Sequence, residues 1–306
     1  MPNIYDSIII GGGPAGMTAA LNILRGGKSV LLIERESFGG QIATSPRVEN
    51  IPSIKEISGE EFSSNLFEQI SDLGVEFELE EVEAISKDKD IFTVHTNYGD
   101  HQGRTVIIAT GVVHNHIGVE REEELVGKGV SYCATCDGAF FKGQDVVVIG
   151  DANTAAQYAL LLTNYCNHVT MALLFDKFFA DKILVDRIEA NPKMSVIKQI
   201  ALQEFLGKDS LEGLRFKHTQ TGEEVTIPCK GVFICIGQKA DNKRFENLVE
   251  LNERGFIVVD SKMKTKTEGL YAIGDCTKKE LRQVQTACND GAIAAFNVLR
   301  SLDYYS

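Results

Sequence analysis

The chain moves between short apolar runs of strand length and longer stretches in which apolar residues return with helical spacing. The first run, YDSIII at 5–10, stops at a glycine and reads as a buried strand. Helical spacing follows from 15 to about 25, and a second strand is expected at 29–33. The same order of apolar run, glycine and alanine-rich stretch returns at 146–159, VVVIGDANTAAQYA. Further strands end in tight turns at 106–111 (VIIATG) and 269–275 (GLYAIGD), and a small-residue helix closes the chain near Leu302. This alternation predicts an α/β fold.

Composition changes the picture little. At 306 residues there is room for two domains with proper cores. The apolar share of 43% and charged share of 24% are those of a soluble globular protein. The longest apolar runs, 146–149 and 232–236, are far too short to span a membrane. No basic region precedes the first run, so no signal peptide is expected. Seven cysteines without a paired framework point to a reducing, cytoplasmic setting. A net charge of −12 argues against nucleic acid and anionic membranes as partners.

Candidate chemistry begins at the first turn. Gly11, Gly13 and Gly16 form G-x-G-x-x-G between strand and helix, and Glu34 ends the second strand. In a dinucleotide site the first glycine makes the turn, the second admits pyrophosphate and the third lets helix pack on strand. Helix amides then face the phosphates, and an acid such as Glu34 accepts from a ribose hydroxyl. VIIATG at 106–111 is a strand running into a tight turn, and much later GLYAIGD at 269–275 repeats that pattern, ends in an acid and is followed by Arg282-Gln283-Val284. Pieces of one site at both ends imply a second domain inserted into the first.

With CATCDG at 133–138, GGGPAG at 11–16, GGQI at 39–42, VEN at 48–50, IIATG at 107–111, and the GD and RQ pairs at 274–275 and 282–283, the chain resembles the bacterial-type thioredoxin reductases. The resemblance covers essentially the whole length. It implies two three-layer dinucleotide-binding-type domains: an FAD domain at 1–116 and 245–306, and a pyridine-nucleotide-like domain inserted at 117–244. It implies FAD held by Gly11, Gly13, Pro14, Ala15, Gly16, Glu34, Arg35, Gly40, Gln41, Asn50, Ala109, Thr110, Gly111, Gly274, Asp275, Arg282, Gln283 and Val284. It also implies a homodimer, and a redox disulfide in which Cys136 faces the flavin while Cys133 attacks thioredoxin. Asp137 is similar to the family's acid that moves protons to and from the thiols; it could also cap a helix. The chemistry is compatible: C-x-x-C closes a small ring, and a helix start stabilises a thiolate. A zinc site would need further ligands at matching spacing, and Cys166, Cys229, Cys235, Cys276 and Cys288 form no second C-x-x-C; no metal is expected.

The second turn is damaged. Family members that use NADPH carry G-x-G-x-x-A there, and this chain has Gly150, Ala152 and Ala155, with Asp151 adding like charge. A following His-Arg-Arg segment and a further arginine grip the adenosine phosphate in those members. Here 173–180 reads LLFDKFFA, with Leu173, Leu174, Phe175 and Phe179 at those positions and Lys177 as the nearby cation. Two lost charged hydrogen bonds cost about 3–6 kcal/mol, or roughly 10²–10⁴ in affinity. The chain thus resembles the ferredoxin-dependent flavin thioredoxin reductases, in which reduced ferredoxin feeds FAD directly. FAD suits that role because it accepts electrons singly. Other readings stay open: an NAD(P)H enzyme with an unusual grip, a diflavin disulfide oxidoreductase of the same fold, or a thiol-redox sensor with structural FAD. Two smaller expectations complete the reading. Lys262, Lys264, Lys266, Lys278, Lys279 and Arg282 form a local positive patch for an acidic ferredoxin, and Tyr304 or Tyr305 stacks on the flavin.

Overall fold

In a computed structural model, which describes residues 4–45 and 48–303, the apolar runs are buried along their length as central parallel strands, with one sheet covered on both faces in each of two units. The first unit comprises the chain up to residue 113 together with residues from 239 onward; the second is 114–238. In the first, β1 (Ile4–Ile10) and β2 (Val30–Glu34) pair in parallel around α1 (Pro14–Arg25), with Ile9 against Leu32. Helix α2 (Gly59–Ser71), capped by the Ser58 hydroxyl accepting from the Glu61 amide, leads to the edge strand β3 (Glu76–Leu79). A meander of β4 (Val82–Asp88), β5 (Ile91–Thr96) and β6 (Asp100–Ile108) follows. The nine-residue β6 pairs parallel with β1 along one edge; on the other, its start pairs antiparallel with β5 and its end parallel with strand Leu270–Ala272.

Three layers result. Ile9, Leu32, Ile107 and Tyr271 pack on the helical side with Met17, Ile23 and Val298. Ile8, Ile10, Val106, Ile108 and Leu270 pack on the other side with Phe92 and Val94 of the meander. The closing helix, Val284–Asp303, belongs to the helical layer.

The second unit repeats the plan. Its parallel sheet runs Met194–Ile197, His168–Ala172, Asp145–Ile149, Gly231–Ile234, Val130–Ser131. Helix Asn153–Leu162 buries Ala155, Ala156 and Ala159 against one face. An antiparallel meander, Ile200–Leu206, Gly213–His218 and Glu224–Pro228, covers the other. The α/β fold read from the sequence is therefore present in both units.

The division falls at 113/114 and 238/239, earlier than the expected 116/117 and 244/245. The reason is local. The Asn115 amide donates to the Gly237 carbonyl, which ties 115 to the second unit. Phe245 is fully buried, and Arg244 donates to the Val82 carbonyl, which ties 244–245 to the first. Run 232–236 is strand only to Ile234. Tyr304 and Tyr305 lie outside the described residues. Among the described residues no helix is long and apolar enough to cross a membrane.

Candidate functional site

In the first unit the glycine turn is held by close approach. Gly11 has φ +114°, and a Cβ there would sit 2.3 Å from the Ala109 carbonyl oxygen. A Cβ on Gly16 would lie 2.0 Å from the Gly11 carbonyl oxygen, so helix and strand meet only with glycine between them. Gly13 is the N-cap of α1 and supplies no side-chain cap, with Pro14 next. The first amides of the helix thus face outward, available to an anion. Gly40 approaches Gly13 across this opening, since a Cβ on Gly40 would stand 3.2 Å from the Gly13 Cα.

Glu34 takes a larger part than its ribose role suggested. Its Oε2 accepts from the Gly12 amide (2.8 Å), and Oε1 accepts from the Arg35 and Glu36 amides (2.9 and 3.1 Å). One carboxylate therefore shapes both the glycine turn and the end of β2. Beside it, Arg35 and Glu36 line an open cleft of about 260 Å³ with Leu79, Glu81, Asn97 and Tyr98. Sequence reading missed all of these but Arg35: Glu36 follows β2, Leu79 ends β3, Glu81 lies between β3 and β4, and Asn97 and Tyr98 form the β5–β6 turn, with no motif of their own.

The far end of the chain reaches the same place. A Cβ on Gly274 would lie 2.9 Å from the Ala15 Cβ, which brings the GD turn against the start of α1. Asp275 has a buried Oδ1 with no hydrogen-bond partner, and burial pushes its carboxyl up against the pull of Lys279 and Arg282. Arg282 donates to the Asp275 carbonyl (3.3 Å) and lies 4.4 Å over the Phe256 ring. Gln283 donates its amide to the Thr286 hydroxyl, and Val284 begins the closing helix. Ala109 bonds back to Ile10, and Gly111 takes φ +64° just after Thr110. The Gln41 amide donates to the Val112 carbonyl, and the Asn50 carbonyl accepts from Gln285. Gly11, Gly13, Ala15, Gly16, Glu34, Gly40, Ala109 and Gly274 thus meet around the first glycine turn. Outward helix amides for phosphates and a buried carboxylate oxygen awaiting a donor fit a flavin dinucleotide.

The Lys279 of the positive patch does not lie on the surface. Its ammonium pairs with Asp290, side chains 15% and 10% exposed, and Asp290 also accepts from the Gly274 amide (3.0 Å). A charge count along the sequence cannot see that pairing.

The second unit carries a disulfide between Cys133 and Cys136, with Cα atoms 5.3 Å apart. Cys133 is the N-cap of the short helix Ala134–Asp137, its carbonyl accepting from the amides of Cys136 and Asp137. Asp137 stands at the N-cap of the 3-10 turn Gly138–Phe141, but its side chain makes no cap hydrogen bond there. Its Oδ2 accepts from the Ser131 hydroxyl at 2.6 Å, its Oδ1 is buried without a partner, and burial pushes the carboxyl up. The other thiols are of a different kind. Burial raises Cys166 and Cys276 to about 11, and Cys229 and Cys235 to about 12, so they stay protonated and unreactive. Among the described residues no group of three His, Cys, Asp or Glu could hold a metal.

At the second glycine turn, residues 179–181 of the same chain pair alongside the turn. Gly150 keeps φ +148°, its Cβ position only 2.5 Å from the Cys235 carbonyl oxygen. Ala152 stands where a helix N-terminus would meet phosphate, and pairs as a bridge with Phe179. The Phe179 amide donates to the Asp151 carbonyl (2.7 Å). Asn153, the first helical residue, donates to Asp181 Oδ2 (3.0 Å) and accepts from the Asp181 amide (2.7 Å). Both bonds are made by the Asn153 side chain, and the N-cap Ala152 supplies no side-chain cap to the helix. Leu174, Phe175 and Phe179 are 50–56% exposed, and Lys177 lies over the Phe179 ring. Leu173 differs from its expected place: it is wholly buried in the core and lines no ligand surface.

A dinucleotide cradle in one unit and a C-x-x-C disulfide beside a buried acid in the other define a flavoprotein disulfide oxidoreductase, with FAD as its cofactor. The sequence matches the family described as pyridine nucleotide-disulphide oxidoreductase over residues 5–291. The chain belongs to that family, and within it to the bacterial thioredoxin reductases. It is 42% identical over 296 residues to the thioredoxin reductase of Bacillus subtilis, spanning 96% of this chain and 94% of that one. The crystal structure of thioredoxin reductase from Streptococcus pyogenes superposes with TM-score 0.96 at 38% identity, over 99% of this chain and all of that one. Thioredoxin reductase from Giardia duodenalis gives 0.92 at 28% identity, over 98% and 99%.

Proposed function

We propose that the chain is a thioredoxin-disulfide reductase that passes electrons through FAD to Cys133–Cys136, with reduced ferredoxin as donor. FAD, when bound, supplies a centre that accepts electrons one at a time and yields them as a pair. The outward amides after Gly13 would hold its diphosphate, and Asp275 Oδ1 would accept a hydroxyl of its chain. Arriving as a pair with two protons, the electrons convert the Cys133–Cys136 disulfide to two thiols. The Cys133 thiolate then attacks the thioredoxin disulfide, forming a mixed disulfide and releasing one thioredoxin sulfur as thiolate. Cys136 attacks Cys133 in turn, which restores the 133–136 bond and frees the second thioredoxin thiol. Each departing sulfur needs a proton, and Asp137, next in chain after Cys136 and kept neutral to higher pH by burial, is placed to give one.

The observation that carries the choice of donor is the altered second turn, where Ala152 replaces the glycine, the Phe179 backbone pairs alongside it, and Leu174, Phe175 and Phe179 stand exposed where cations would grip a phosphate. A second reading, dependence on a pyridine nucleotide, is favoured by the name of the family itself. The disulfide chemistry is tested apart from the donor. Dithionite-reduced protein, freed of excess reductant and mixed with oxidised thioredoxin, is expected to generate two thioredoxin thiols per disulfide re-formed. Retention of both thiols on the reductase would remove thioredoxin as substrate.

A further inference from the structure

Ser131 is 3% exposed, and strand Val130–Ser131 holds it beside Val232 and Phe233 of the neighbouring strand. Its hydroxyl stands 2.6 Å from Asp137 Oδ2, 3.1 Å from the Cys133 amide nitrogen and 3.4 Å from the Cys133 carbonyl oxygen. An amide can only donate, so the hydroxyl oxygen accepts from Cys133. Its single hydrogen then has two acceptors to choose from, and a carboxylate at 2.6 Å takes it in preference to a carbonyl at 3.4 Å. The other carboxyl oxygen, Oδ1, is buried and without a partner. One buried hydroxyl thus joins the acid to the backbone of the first redox cysteine.

We propose that Ser131 is a positioning residue for proton transfer at the redox disulfide, clamping Asp137 through Oδ2 so that Oδ1 carries the exchangeable proton. The proposal rests on the reading of Asp137 as the acid of thiol exchange. The proton moves from Oδ1 to the sulfur released in exchange, and Asp137 is reprotonated from solvent. No electron passes through Ser131, and none of its bonds breaks. A hydrogen bond to the charged form also holds the Asp137 carboxyl down against the upward push of burial. Ser131 thereby sets how high in pH the acid keeps its proton.

The test is single-turnover thioredoxin reduction by the prereduced flavoprotein across pH, with infrared titration of the Asp137 carboxyl in parallel. In Ser131→Ala the alkaline limb and the carboxyl titration are expected to move together to higher pH by about one unit. Ser131→Thr, which keeps the hydroxyl, is expected to restore both. Asp137→Asn is expected to abolish the limb, and adding Ser131→Ala to it should shift nothing further. An unmoved limb in Ser131→Ala, or a shift that persists in the double variant, overturns the role of Ser131. A limb retained in Asp137→Asn overturns the reading of Asp137 instead. Should Ser131→Ala not fold, Ser131→Cys carries the comparison by infrared titration of the oxidised protein. Its weak S–H donor predicts an upward move, and an unmoved titration overturns the proposal.

Discussion

Replacing Lys279 by methionine probes how the flavin loop is held. The ammonium is paired with Asp290, whose Oδ2 also accepts from the Gly274 amide, one residue before Asp275. Both side chains are close to nine-tenths buried. Removing the cation leaves a carboxylate in a poorly solvated place with the Gly274 amide as its remaining donor. Breaking a buried pair this way costs about 3–5 kcal/mol, and the residual exposure here favours the lower end, about 3 kcal/mol. For a unit of this size, each kcal/mol lowers the melting temperature by about 2–4 °C, so a loss of about 6–12 °C is expected. FAD affinity should fall as well, because the Gly274 amide that Asp290 holds directly precedes Asp275. Adding Asp290→Asn removes the stranded charge while keeping an acceptor for Gly274, and should recover most of the loss. The assay is thermal release of flavin fluorescence, with FAD titration of the apoprotein. A Lys279→Met protein that melts within a degree of the parent and binds FAD equally would refute the argument.

Cys133→Ser and Cys136→Ser are each expected to abolish thioredoxin reduction while leaving FAD bound; wild-type turnover in either variant would remove the disulfide from the mechanism. His114, bonded to Gln238 and stacked on Tyr132, has its pKa lowered to about 4 by burial and by neighbouring His116. Between pH 6.5 and about 4 the unfolded chain binds a proton there that the folded one does not, so stability falls as pH drops through that window. His114→Asn should shrink the acid-side loss by about 2–3 kcal/mol in urea melts; an unchanged pH dependence would contradict the assignment.

The parts of this molecule legible in the sequence were those that backbone geometry forces on residue type. Gly11 and Gly16 must be glycine because a methyl would strike a carbonyl oxygen, so the cradle could be read from spacing. The burial of 5–10 and 146–149 likewise followed from apolar runs that only a covered sheet accommodates. What escaped were contacts made through space by residues of ordinary type. Ser131 meets Asp137 across a turn, and nothing distinguishes it from any other strand serine. Lys279 reads as a surface charge until Asp290 is seen beside it, and Leu173 reads as site lining until the sheet turns it inward. The change at Ala152 was visible in sequence, whereas its surroundings were not: Asp181, 28 residues beyond Asn153, exchanges hydrogen bonds with the Asn153 side chain beside the turn.

The account turns on where electrons enter. Anaerobic mixing of the oxidised flavoprotein with NADPH, NADH and reduced ferredoxin, each followed by flavin bleaching, tests this most directly. Millimolar NADPH and NADH are expected to leave the flavin oxidised on the timescale of turnover, while reduced ferredoxin bleaches it. Bleaching by NADPH on the order of a second or faster, saturating at micromolar concentration, would show that the altered second turn still admits a nicotinamide cofactor and would contradict the account.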